Sequence, residues 1–218
     1  KLMDLSLDGG SSISFGTDKA VFSSLWADSK DPSSLAMAAV SYSDLYLLDL
    51  ATRKTTRLTK AQRLVQPAIS GDESRIVASR VNGSFYDLVE VKTDTLHIIT
   101  LASKERVSYV DPVLNKDGSK LAYLALEDGN SSLYLLEDGK EPLLLAGPTA
   151  DELCAPSFAE DDSILFVKEL ELYRINPETG TIQLVHTDSV GVYSASVQAD
   201  ELFYETYTPQ GVAVKKTV

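Results

Sequence analysis

Reactive side chains are few in this sequence, and none stands at a spacing that builds a catalytic set. His97 and His186 are the only histidines and Cys154 is the only cysteine, although hydrolytic sites draw their bases and nucleophiles largely from these types. His97 lies in the alternating stretch Thr95-Leu-His-Ile-Ile99 and is expected to face solvent. His186 closes the matching stretch Thr181-Ile-Gln-Leu-Val-His186 and opens a loop. Neither has a serine or cysteine in a glycine-flanked elbow, so no triad is visible. Cys154 stands between Leu153 and Ala155-Pro156 and reads as a small buried apolar residue. One thiol forms no internal disulfide, and neither a His/Cys metal spacing nor a glycine-rich phosphate loop is present. The chain is therefore read as not an enzyme, with no catalytic residue and no cofactor.

Carboxylates are plentiful and one set of them recurs. Asp31, Asp72, Asp117, Asp161 and Asp200 are spaced 41, 45, 44 and 39 residues apart. A ring of metal ligands is one reading of such a series. The other is that each carboxylate accepts backbone N–H groups and fixes a turn, which short aspartate side chains do well. The turn reading is preferred, with the turns expected to lie too far apart to share an ion. Glu160-Asp161-Asp162 and Glu127-Asp-Gly-Asn130 offer the hard oxygen ligands that calcium takes, but without the spacing of a dedicated calcium loop. Calcium is left unproven and no metal residue is assigned.

The aspartates belong to a longer repeat. Pro67-Ala-Ile-Ser-Gly-Asp72-Glu-Ser-Arg-Ile76, Pro112-Val-Leu-Asn-Lys-Asp117-Gly-Ser-Lys-Leu121 and Pro156-Ser-Phe-Ala-Glu-Asp161-Asp-Ser-Ile-Leu165 share Pro five residues before Asp and an aliphatic residue four after it. Trp26-Ala-Asp-Ser-Lys-Asp31-Pro-Ser-Ser-Leu35 is taken as a fourth copy with Trp in place of Pro, and Ala195-Ser-Val-Gln-Ala-Asp200 as a degenerate fifth. After each Asp come a second apolar stretch, a turn, and a third stretch that opens on Leu-Tyr in Leu45-Tyr46, Leu133-Tyr134 and Leu172-Tyr173. A short fourth stretch closes the unit. Asn82-Gly83, Asp128-Gly129 and Asp138-Gly139 suit tight hairpins. No stretch sustains a 3.6-residue period over ten residues. Each unit is thus a four-stranded antiparallel meander, and units that cannot cover both sheet faces alone do so by radial stacking in a β-propeller.

Charge narrows the partners. With 32 acidic and 20 basic residues the formal charge is −12, which repels phosphate backbones, so nucleic acid is not expected as a partner. No apolar run approaches the roughly 20 residues of a membrane-spanning helix. A monomer that binds a protein or peptide is the expectation.

The pattern Pro-x-x-x-x-Asp-Gly-x-x-Leu, then Leu-Tyr-x-x-Asp, then a closing Leu-Thr resembles the WD-like repeats of TolB-like β-propellers. Leu45 to Thr59 shows its second half and Pro112 to Glu137 its first. The resemblance implies an all-β propeller of about five four-stranded blades, an extracytoplasmic placement in the periplasm or cell envelope, and use of the propeller as a docking surface. An accessory or regulatory propeller of a larger enzyme, such as a peptidase, is the alternative. The blades are framed at about 26–66, 67–111, 112–155 and 156–194, with 195–218 paired with 1–25 to close the ring. Val212-Ala-Val214 and Leu2-Met-Asp-Leu5 compete for one strand position in that closing blade. Loops entering the innermost strands carry the partner-binding candidates: Trp26, Tyr109 and Tyr193 as aromatic anchors, and Gln66 and Asp111 as polar groups just ahead of the first strand.

Overall fold

The computed structural model describes residues 12–26, 42–198 and 201–217, which form 19 strands and no helix. None of the described residues lies in a helix long and apolar enough to cross a membrane. The strands make five antiparallel sheets arranged as a β-propeller. The first holds β1 (Ile13–Phe15), β2 (Lys19–Trp26), β3 (Tyr42–Asp49) and β4 (Thr55–Arg57). The second holds β5 (Leu64–Ile69), β6 (Ile76–Asn82), β7 (Phe85–Val91) and β8 (Ile98–Ala102). The third holds β9 (Val107–Leu114), β10 (Lys120–Glu127), β11 (Asn130–Glu137) and β12 (Leu143–Thr149). The fourth holds β13 (Leu153–Phe158), β14 (Ile164–Lys168), β15 (Glu171–Ile175) and β16 (Ile182–His186). Three described strands, β17 (Ser194–Gln198), β18 (Glu201–Thr208) and β19 (Gly211–Thr217), make the fifth.

Both faces of the inner strands are buried, which explains their unbroken apolar runs. On β14, Ile164 and Phe166 face the third blade, while Leu165 and Val167 face the fifth. On β10, Leu121 and Tyr123 pack toward the second blade, and Ala122 and Leu124 toward the fourth. A period of two thus serves two cores at once. Full burial of a side chain such as Phe166 contributes about 1.5–3 kcal/mol before packing is counted.

Turns between first and second strands gather on one end of the ring, here the turn face. Three repeat aspartates act there as expected. Asp72 Oδ1 accepts the Ser74 N–H at 3.1 Å and hydroxyl at 2.8 Å, Asp117 Oδ1 those of Ser119 at 3.0 and 2.6 Å, and Asp161 Oδ1 those of Ser163 at 3.1 and 2.6 Å. The expected wide separation of these turns is corrected, because neighbouring turns touch. The Thr17 hydroxyl donates to the Gly71 carbonyl at 2.6 Å, and the Asp72 N–H to the Lys116 carbonyl at 2.9 Å. The Asn115 amide reaches Asp162 at 3.1 Å. Gly118, at φ +73°, leaves only 3.2 Å between an added Cβ and Ser70, so this approach needs a glycine. Ion pairs reinforce the seams: Lys19–Glu73 at 2.8 Å joins blades one and two, and Lys120–Asp162 at 2.8 Å joins three and four.

The blade frame needs one correction. Strands β1 and β2 pair in register with β3 and β4 rather than joining 195–218, as Ile13↔Phe22 and Trp26↔Tyr42 show. The first turn is therefore Gly16–Asp18, whose strand carries Ile13 where other repeats carry Pro, and this disguised it. Asp31 falls in 27–41, between β2 and β3 and outside the described residues, as are Asp200 and Leu2–Leu5. Val212 and Val214 lie on β19.

Candidate functional site

The opposite end, the loop face, carries the loops from fourth to first strands and the hairpins between second and third. The first strand of three blades bears the same irregularity there. Residues 66 and 67 together oppose one residue of β6, 111 and 112 one of β10, and 155 and 156 one of β14. The first residue of each bulge is left-handed: Gln66 at φ +48°, Asp111 at +48° and Ala155 at +49°. The second is the repeat proline, which has no N–H to give and is tolerated inside a sheet at such a bulge.

These bulges link side chains from blade to blade. Gln66 Nε2 donates to Asp111 Oδ1 at 2.6 Å, Gln66 Oε1 accepts the Ser79 hydroxyl at 3.2 Å, and Asp111 accepts the N–H of Ala155. Burial pushes the Asp111 carboxyl above the ordinary aspartate range, against the lowering effect of the Ala155 N–H and the Gln66 amide. No ion pair to Asp111 is present among the described residues.

Asp111 also lines a cavity of about 370 Å³ between the third and fourth blades. Val110, Leu124, Leu126, Leu153 and Cys154 form its apolar wall, and Asn130, Ser131 and Glu152 stand in its lining. Burial, with Glu152 and then Asp111 nearby, pushes the Cys154 thiol up to about 11, which opposes a nucleophilic thiolate.

The remaining candidates separate. Tyr109 turns to the seam between blades two and three, edge-on to Tyr123 at 5.9 Å, with Tyr123 stacked on Tyr134 at 5.6 Å. Its ring packs blades together. Tyr193 meets Tyr207 edge-on at 4.6 Å, and Tyr207 is 47% exposed. The loop that carries Tyr193 is pinned by Asp188, which accepts from Lys215 at 2.7 Å and the Tyr204 hydroxyl at 3.0 Å. Trp26 ends the second strand of its blade, not a loop into the first, and its side chain lies outside the description. His97 is exposed, as expected. His186 packs on the Tyr204 ring at 4.4 Å, and its Nε2 is buried without a hydrogen-bond partner among the described residues.

Two features were not anticipated. Buried Asp44 holds a loop, accepting from Arg57 at 2.6 Å, Thr59 and the Ala61 N–H at 3.0 Å, and the Gln62 N–H at 3.1 Å. Its only signal is a polar residue directly before the repeat leucine, shared with Asp87-Leu88. On the turn face, the first strands of all five blades line a second cavity of about 540 Å³, whose wall includes Phe15, Val113, Phe158 and Val197. No group of three or more His, Cys, Asp or Glu among the described residues could hold a metal ion.

No family model and no curated protein matches the sequence. Solved structures do. A putative TolB from Agrobacterium tumefaciens has 13% identity and a TM-score of 0.72 over 94% of this chain and 75% of its own. TolB from Acinetobacter baumannii has 14% identity and a TM-score of 0.69 over 94% of this chain, which spans 50% of that protein. A nidogen/laminin complex has 13% identity and a TM-score of 0.67 over 93% of this chain and 73% of its own. Prolyl endopeptidases and an oligogalacturonate lyase also match. The fold is thus that of a TolB-like β-propeller, shared by binding proteins and enzymes alike.

Proposed function

We propose that this propeller is a non-catalytic binding module that receives a protein or peptide on its loop face, in the cell envelope. The observation that carries the reading is Asp111: a half-buried carboxylate with no cationic partner among the described residues, set in an apolar cavity that opens between blades. Pockets of this kind, mostly apolar with a few convergent polar groups, are the usual form of binding sites. The Tyr193–Tyr207 pair adds an exposed aromatic on the same face, a residue type that anchors interfaces. Likeness to a nidogen/laminin complex and to TolB proteins supports protein docking, and likeness to TolB supports the envelope placement. The likeness to prolyl endopeptidases favours a second reading, a regulatory propeller of a larger enzyme.

The test compares capture from envelope extract by the wild type, by Tyr193→Ala with Tyr207→Ala, and by Phe15→Ala on the opposite face. The reading requires a partner kept by Phe15→Ala and lost by the folded double variant. A partner insensitive to the tyrosines would move the interface off this face.

A further inference from the structure

The cavity beside Asp111 has a chemistry more specific than a generic docking surface. Its wall is apolar through Val110, Leu124, Leu126 and Leu153, with Leu124 and Leu153 buried and Leu126 exposed at the rim. Three carboxylates lie in its lining: half-buried Asp111, Asp151, and Glu152 exposed at the edge. Of these, Asp151 already has a cation, Lys168 at 2.8 Å, as do two carboxylates beside the opening, Glu127 with Lys104 at 2.5 Å and Asp128 with Arg106 at 2.9 Å. Among the described residues Asp111 and Glu152 form no such pair. Cys154 lies in the same lining and responds to both, its thiol being raised by each in addition to burial. The cavity therefore carries negative potential against an apolar wall.

A long side chain with a methylene stem and a charged head matches that arrangement, its stem lying on apolar surface and its head on the carboxylates. Guanidinium suits it better than ammonium, being planar, weakly hydrated and able to donate to two acceptors at once. We propose that this cavity is the docking pocket for an arginine side chain of the partner, with Asp111 and Glu152 as its counter-ions. The proposal rests on the reading of the loop face as the docking face, and names what that face selects.

The probe is the tripeptide acetyl-Leu-Arg-Leu-amide, compared with the same peptide carrying neutral citrulline in place of arginine. Both are titrated into the whole chain and followed by NMR. A charge-assisted hydrogen bond in a half-buried site predicts about tenfold tighter binding of the arginine peptide, with shifts centred on Leu124, Leu126 and Cys154. Asp111→Asn and Glu152→Gln should each shrink that preference, and together abolish it. Bound guanidinium should also bring the Cys154 thiol down from about 11, read by its alkylation rate against pH. Equal binding of the two peptides overturns the proposal. So does a preference unchanged in the folded double variant, or no saturation by about 10 mM. If the tripeptide fails while a partner is still lost with Tyr193→Ala and Tyr207→Ala, this inference falls and the docking face stands. If the partner ignores the tyrosines while the tripeptide still prefers arginine, the docking reading fails and the pocket chemistry remains.

Discussion

Replacing Asp111 by asparagine should stabilise the protein, although asparagine is the weaker partner for a cation. In the folded chain the carboxylate accepts from Gln66 at 2.6 Å and from the Ala155 N–H, and burial raises its pKa. Asparagine keeps one acceptor oxygen, so it gives up at most one neutral hydrogen bond, about 1 kcal/mol. It also removes the desolvation of a charge, which reaches several kcal/mol per ion in a fully buried site and less in a half-buried one. The balance is a gain of about 1 kcal/mol at neutral pH, within the range of single stabilising changes, or a rise in Tm of about 2–4 °C. Its pH dependence has a definite sign. A folded pKa above the unfolded value of 3.8 means that the folded chain holds the proton more tightly. Ionised Asp111 therefore destabilises fully above its folded pKa, and the penalty disappears as pH falls through that value toward 3.8. Urea midpoints of wild type and Asp111→Asn, measured from about pH 7 to about pH 4, should differ at neutral pH and converge on acidification. A variant less stable than wild type at neutral pH, or a gain that does not change with pH, would refute the account of Asp111 as a carboxylate held at a cost.

Two further outcomes follow from the framework. Phe166, 1% exposed between the third and fourth blades and stacked 5.8 Å from Tyr173, should cost about 3–5 kcal/mol on truncation to alanine, read from the urea midpoint; a loss below about 1 kcal/mol would contradict the packing described. The Asp161 carboxyl should titrate near about 2 by carbon NMR, held down chiefly by the Ser163 hydroxyl and also by Arg174, and Ser163→Ala should raise it toward 3.8. Since that pKa is depressed on folding, its stabilisation is present above 3.8 and is lost as pH falls through about 2.

The fold was legible because the repeat is written in residues that answer to backbone geometry. Asp with Ser two residues on builds a turn from its own side chains, and Asp72, Asp117 and Asp161 each do so. The first blade was misread for the same reason. Ile13-Ser-Phe-Gly-Thr-Asp18-Lys-Ala20 lacks both the proline and the serine two residues after Asp, while Trp26 to Leu35 matches the spacing in sequence alone. The site was legible only in part. Gln66 and Asp111 hold the same repeat position, 45 residues apart, and are brought together across neighbouring blades. Tyr109 was selected by type, yet an aromatic near a loop is equally suited to a seam, and its ring packs toward Tyr123. The cavity itself needs Val110, Leu124 and Glu152 from separate strands and loops, and no local pattern joins them.

The three bulges separate what the fold needs from what it does not. A left-handed residue other than glycine costs about 1–3 kcal/mol and persists where its surroundings impose it. Here the two-against-one pairing imposes it at Gln66, Asp111 and Ala155 alike, against the extended backbone that a following proline favours. Alanine completes the turn of the chain in the fourth blade with no polar atom on its side chain, so the backbone asks for neither an amide nor a carboxylate there. Asparagine or glycine would hold this conformation with less strain than glutamine. Yet the second and third blades place a glutamine and an aspartate, hydrogen-bonded to each other, and the aspartate is left partly desolvated without a cation among the described residues. A group kept at a cost that its scaffold does not require is best accounted for by what it binds, and the charge that would relieve Asp111 is positive.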